Sequence, residues 1–120
     1  MNETEIIQNI FDVVHSAISE EYESIYVSYK LNATEIGGDM IYSQELRFYS
    51  KNLEGNKSDL KNRKSDFSKV VRAYFKQLRN EMASKHKDNS KWSAAVLRYT
   101  KGGEVKMNYD YSEIIKECLN

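Results

Sequence analysis

The sequence predicts an α+β fold of order α-β-β-α-β-β-α, with a four-stranded antiparallel sheet and helices packed on one of its faces. Three observations predict it. Two stretches, Ile6 to Ile18 and Phe67 to Met82, place apolar residues at helical spacing. Four shorter stretches alternate apolar and polar with period two, as half-buried strands do. Those four fall into two pairs, and each pair contains a Gly-Gly turn, at 37–38 and at 102–103. The 120 residues fit a single domain, 1–120, of a size that can bury a core without staples.

The first helix is expected from Thr4 to about Glu20. Ile6, Ile7, Ile10, Phe11, Val14, Ala17 and Ile18 form its stripe, and Asn2 or Thr4 can accept from its first free amides. Ile25, Val27, Tyr29 and Leu31 then alternate with Tyr26, Ser28 and Lys30. Asn32 to Asp39 reads as a loop around Gly37-Gly38, and Met40 to Ser50 as the returning strand. Lys51 to Lys64 is polar, aperiodic and basic, the pattern of a long surface loop. Ser65 or Asp66 caps the second helix, whose stripe is Phe67, Val70, Val71, Tyr74, Phe75, Leu78 and Met82. Ser112 can cap a short last helix with Ile114, Ile115, Cys118 and Leu119 inward.

Gly102-Gly103 reads as a two-residue type I′ turn. That turn would set Lys101 against Glu104, Arg98 against Met107 and Val96 against Tyr109. Trp92, Ala94, Val96, Val105, Met107, Tyr109 and Tyr111 would then share the face under the second helix. Ala95, Leu97, Tyr99, Lys106, Asn108 and Asp110 would lie on the open face.

The formal net charge is zero, but the charges are segregated. Residues 1–50 hold nine acids and two cations, residues 51–101 fourteen cations and five acids, and residues 102–120 four acids and two cations. Such segregation suggests patches of opposite potential. Chemistry-bearing patterns are sparse. The single cysteine, Cys118, excludes an internal disulfide, falls far short of a thiolate metal set, and reads as a packed core thiol. His15 and His86 have no nucleophile context, and there is no zinc-ligand spacing. No enzyme, cofactor or metal is expected. The acidic start Met-Asn-Glu-Thr-Glu and the lack of a long apolar run predict a cytoplasmic chain with no membrane partner.

Binding is the remaining class. Trp92, the Thr-Lys-Gly-Gly-Glu turn at 100–104 and the strand Val-Lys-Met-Asn-Tyr-Asp-Tyr at 105–111 resemble the YezG-like family of bacterial immunity (antitoxin) proteins. The resemblance implies a small cytoplasmic α+β protein that binds and neutralises a polymorphic or contact-dependent toxin. That toxin is often a nuclease, carried as the C-terminal domain of a larger secreted protein. For a basic nuclease, the expected contacts are the acidic residues Glu20, Glu21, Glu23, Glu35 and Asp39, with Leu97 and Tyr99 on the open face. The alternative is a nucleic-acid-binding or regulatory domain using Lys57, Lys61, Arg63, Lys64, Lys69, Arg72 and Lys76. The near-neutral isoelectric point weighs against nucleic acid.

Overall fold

A computed structural model describes residues 1–18, 20–59, 65–85, 91–114 and 116–119. The elements are α1 (Glu3–Ala17), β1 (Ser24–Ile36), β2 (Asp39–Lys51), β3 (Lys57–Asp59), α2 (Ser65–Lys85), β4 (Ala94–Thr100), β5 (Lys106–Asp110) and β6 (Lys116–Leu119). Five strands form an antiparallel sheet in the order β3-β2-β1-β4-β5. The short β6 adds to the same side of β1 as β4, running parallel to Ala33–Ile36. The α+β class and the two hairpins hold. The sheet has more than the four strands expected, because β3 forms inside the 51–64 segment and β6 replaces the expected terminal helix. Ser112 does not cap a helix. Its amide donates instead to Asp110 Oδ1 at 2.8 Å, in a tight turn after β5.

α1 begins where the capping pattern places it, with Asn2 Oδ1 accepting from the Glu5 amide at 2.9 Å. It ends at Ala17, short of Glu20, with Ile18 already extended. Both helices lie on one face of the sheet. α2 covers β1 and β2: Phe75 stacks on Tyr29 at 5.0 Å, and Phe67 meets Phe48 edge-on at 4.6 Å. α1 covers the far side, where Phe11 meets Tyr99 edge-on at 4.8 Å. Ile6, Ile10 and Val14 of α1, Val71 and Leu78 of α2, Val27, Leu97 and Trp92 complete a layer with no solvent exposure. Arg79 Nε donates to the Trp92 carbonyl at 2.7 Å, which ties α2 to the entry of β4. The side chain of Cys118 lies outside the described residues.

The two Gly-Gly turns exchange the roles expected of them. Gly37 and Gly38 both have positive φ, 58° and 88°, and close a two-residue turn between the paired residues Ile36 and Asp39. The expected 32–39 loop is therefore strand up to its last two residues, and β1–β2 is a hairpin with thirteen residues on each side. At 102–103 only Gly102 is left-handed, at 86°. Gly103 N–H donates to the Thr100 carbonyl at 2.8 Å, so the reversal is a four-residue turn with positive φ at its third position. Five residues, Lys101 to Val105, connect β4 and β5.

That connection moves the register by one residue from the expected one. Leu97 pairs with Met107, Ala95 with Tyr109 and Arg98 with Lys106. A slip of one reverses the faces of a strand. Met107 and Tyr109 stay on the helix side, but β4 turns over: Ala95, Leu97 and Tyr99 go inward, and Val96 and Arg98 face out. Leu97 has no exposed surface and Tyr99 is half-buried. Both are corrected from open-face residues to core. Charge explains the choice. The expected face would have carried Arg98 beneath the helices, where an unpaired guanidinium is costly.

Candidate functional site

The uncovered face of the sheet is built from the other half of each alternation. Reading across, Tyr49 of β2, Tyr26 of β1, Arg98 of β4 and Lys106 of β5 occupy one row. The Tyr26 and Tyr49 rings stack at 4.8 Å, 16° from parallel. Arg98 lies 5.5 Å from the Tyr26 ring centre, and Lys57 of β3 lies 4.8 Å from that of Tyr49. Two stacked tyrosines are thus bracketed by two cations, an arrangement that holds both rings upright. The next row is Arg47, Ser28, Val96 and Asn108, and the one after it Glu45, Lys30, Ala94 and Asp110. Among the described side chains of this face, Lys30, Arg47, Lys51, Lys57, Arg98 and Lys106 outnumber Asp39, Glu45 and Asp110. Glu45 is held by Arg47 at 2.6 Å and accepts from Asn32 Nδ2 at 3.4 Å. The hydroxyl of Ser112 and its amide hold the Asp110 carboxyl below the usual carboxylate range. The face is basic and tyrosine-rich.

A second feature sits at one end of the sheet, where α1 hands over to β1. His15, Ile18, Glu20, Glu21, Tyr22, Tyr99 and Lys101 line an open cleft of about 310 Å³. His15 Nδ1 and the Tyr22 hydroxyl share a hydrogen bond of 2.6 Å. Phe11 stacks on His15 at 5.7 Å, and Tyr22 meets Tyr99 edge-on at 6.3 Å. Partial burial, and then the neighbouring Tyr99, push the Tyr22 hydroxyl above its ordinary value. His15 therefore belongs to an aromatic cluster, with a partner that the sequence did not reveal.

The expected acidic cluster is not one site. Glu20 and Glu21 line this cleft together with Tyr99. Glu23 lies at the same end, its amide donating to the Lys51 carbonyl and its carbonyl accepting from the Lys101 amide. Glu35 and Asp39 flank the far tip of the first hairpin. Twelve residue-to-residue steps along the strand, about 40 Å at about 3.3 Å each, separate Glu23 from Glu35. The alternative basic surface is divided too. Lys57 belongs to the open sheet face, whereas Lys69 and Lys76 are exposed on α2 behind the helix layer. Arg72 is half-buried beside Tyr29, whose hydroxyl is raised by burial and pulled back by Arg79 and Arg72. Lys61, Arg63, Lys64 and His86 lie outside the described residues.

On the open face the sequence allows Tyr26 or Tyr29 and Tyr49 or Phe48, and the structure selects Tyr26 and Tyr49; Arg98, expected on the helix side, joins them. Tyr26 and Tyr29 are both tyrosines on one strand, and alternation alone leaves open which of them faces out. The signal was the company each keeps: Tyr26 alternates in phase with Ser28 and Lys30, Tyr29 with Ile25 and Val27. Among the described residues, no three His, Cys, Asp or Glu side chains are grouped as metal ligands would be. No described helix is long and apolar enough to cross a membrane.

The structure is thus a small α+β domain whose sheet offers one open, charged and aromatic face. Comparison with protein families specifies the kind. The family model for YezG-like immunity proteins matches residues 4–120, nearly the whole chain, and the chain belongs to that family. No curated protein matches it.

Proposed function

We propose that this protein neutralises a cognate toxin in the cytoplasm by forming a stoichiometric complex that covers the toxin's active site, without catalysis of its own. The toxin is the C-terminal domain of a larger secreted protein. Membership of the immunity family across residues 4–120 is the observation that carries this reading. The open sheet face is the surface that suits the task best. Tyrosine and arginine dominate the energetics of protein interfaces, because they bring large contact area with few rotatable bonds. Here Tyr26, Tyr49 and Arg98 are already stacked in place, so little ordering remains to be done on binding. The basic character of the face fits an acidic surface on the toxin. Glu20, Glu21 and Glu23 at the end of the sheet supply the opposite sign and fit a basic nuclease cleft.

Co-expression with the adjacent toxin gene tests the function. Growth rescue and co-purification of a one-to-one complex are expected, and failure of both overturns it. Charge reversal then tells the two surfaces apart. Arg98→Glu with Tyr26→Ala should abolish rescue if the sheet face docks, with the fold intact by circular dichroism. Glu20→Lys with Glu21→Lys should do so if the acidic end docks.

One observation favours a second reading. Stacked tyrosines bracketed by Lys57 and Arg98 are also a platform on which single-stranded bases can stack. Phe67 and Phe75 of α2 cannot serve this purpose, since both are core. A gel shift with a single-stranded oligonucleotide that weakens steeply with salt would support nucleic-acid binding, and no shift at low salt removes it.

A further inference from the structure

β2 is an edge strand over most of its length. β3 pairs with it only from Tyr49 to Lys51, and among the described residues no strand lies beside the outer backbone of 39–48. Natural edges are guarded by brevity, bulges, proline or a central charge. β2 has thirteen residues, pairs with β1 without interruption from Asp39 to Lys51, and contains no proline. Its run Met40-Ile41-Tyr42-Ser43-Gln44 carries no charge. Side chains there stand in solvent: Met40 is 36% exposed, Ile41 52% and Tyr42 66%. Among the described residues nothing pairs with the outer edge of this half of the hairpin, which is a strand-forming arm. Such an edge on a soluble protein is ordinarily a pairing site.

We propose that the arm pairs with the same arm of a second copy of this chain, antiparallel, with Ser43 opposite Ser43. Charge and length both select this register. Asp39 and Arg47 are each four residues from Ser43, on opposite sides and of opposite sign. The pairing therefore sets Asp39 of each copy against Arg47 of the other, on the same face. It also sets Met40 against Leu46, which continues the apolar layer from one copy into the next. Sliding the strands by two residues one way opposes Asp39 with Glu45, acid against acid. Sliding them by two the other way brings Asp39 to Tyr49, where β3 already occupies the edge. In the proposed register the pairing ends at Arg47, and β3 of each copy passes just beyond the other's Gly37-Gly38 turn. The Arg47 side chain is 76% exposed and can meet Asp39 without leaving Glu45. The two-fold axis stands perpendicular to the sheet, so the contact is isologous. The two basic tyrosine faces then lie side by side on one continuous sheet.

The test needs no toxin, so its outcome is independent of the immunity reading. Sedimentation of the purified full chain should give a dimer. Ser43→Lys and Ser43→Glu each place like charges directly opposite one another, and each should weaken the dimer by about tenfold or more. Position 43 is exposed, so the thermal melt of the monomer should not move. Mixing the Ser43→Lys and Ser43→Glu chains should restore dimers containing one of each, which follows only if position 43 faces itself. A wild-type chain that sediments as a monomer at every concentration overturns the proposal, as do variants that stay dimeric or fail to recombine. A monomer whose toxin complex alone is sensitive to Ser43→Lys would assign the edge to a toxin strand, and would also overturn it.

Discussion

The two faces of the sheet come from the same strands, residue by residue, and differ in nearly every physical respect. On the helix side, Val27, Leu97 and Trp92 have no exposed surface, and Tyr29 is locked against Phe75 with their rings 3° from parallel. On the other side, Tyr26 and Tyr49 stack just as closely, but in reach of solvent and between cations. The aromatic pairs are alike in geometry and unlike in consequence. The inner pair is buried, with Trp92 against the Tyr29 ring, so its removal leaves a cavity. The outer pair has water to fill its place, so its removal costs contact surface and little stability. Aromatic content therefore does not separate core from interface in this chain. What surrounds each ring does.

The sharpest way to break that comparison is on β4, where adjacent residues belong to opposite faces. Leu97→Ala should destabilise the fold by about 3 kcal/mol, as fully buried leucines do when truncated. Val96→Ala, one residue away and facing out, should cost less than about 1 kcal/mol. Urea denaturation of the two variants decides it. The opposite ranking would mean that β4 sits in the register of a two-residue 102–103 turn, and that Leu97 and Tyr99 are surface residues after all.

That one-residue difference also marks how far the sequence could be read. Both helices, both hairpins and the covering stripe of α2 were legible, because each rests on a period sustained over many residues. Phe67, Val71, Phe75, Leu78 and Met82 are buried as their spacing requires, Tyr74 is half-buried, and Val70, expected on the same stripe, is 40% exposed. β4 was the weak point. In Ala-Ala-Val-Leu-Arg-Tyr-Thr both alternations are apolar, so the pattern does not choose a face, and the choice fell to the turn. Gly-Gly permits positive φ at two positions without requiring it, and at 102–103 only the first is used. Arg98 was the residue that could have decided the register. β3 and β6, of three and four residues, are too short for periodicity to register. The acidic residues grouped by sequence proximity to turns were separated by the length of β1, which depended on the 32–36 stretch being strand. The open-face site was legible only in part, since it depends on which β4 residues meet Tyr26.

A smaller effect is expected where the helix layer is fastened to the sheet. Arg79 donates to the Trp92 carbonyl at 2.7 Å across the α2–β4 junction, and Arg79→Met keeps much of the aliphatic stem while removing the donor. The carbonyl would lose a charge-assisted partner in a partly buried setting, at a cost of about 1–2 kcal/mol. The same change at Arg98, whose guanidinium rests on Tyr26 in the open, should fall within about 0.5 kcal/mol of wild type. Equal losses at the two arginines would mean that the open face is as much a part of the folded framework as the covered one.

The smallest effect near neutral pH comes from Tyr109, at the border between the two regions. Its ring lies 5.6 Å from Trp92, and its hydroxyl donates to Glu3 Oε1 of α1 at a long 3.4 Å. Burial, and then the Glu3 carboxylate, push the Tyr109 hydroxyl well above its ordinary value of 10.0. A group whose pKa is raised by folding contributes stability that is fully present below its unfolded pKa and is lost as pH climbs towards the folded one. Wild-type stability should therefore fall from about pH 10 upward, as the unfolded chain releases a proton that the folded chain retains. Tyr109→Phe keeps the ring and removes the titration. It should cost no more than about 0.5 kcal/mol at neutral pH, because the lost bond is long and weak. Its stability should decline less steeply above pH 10, where Tyr22 and Tyr29 still titrate. Denaturation curves collected from neutral pH to beyond pH 10 give the difference directly. Parallel curves for the two proteins would show that the Tyr109 hydroxyl is solvated rather than held against Glu3. The far edge of the covered face would then begin one strand nearer the centre of the sheet, at β4.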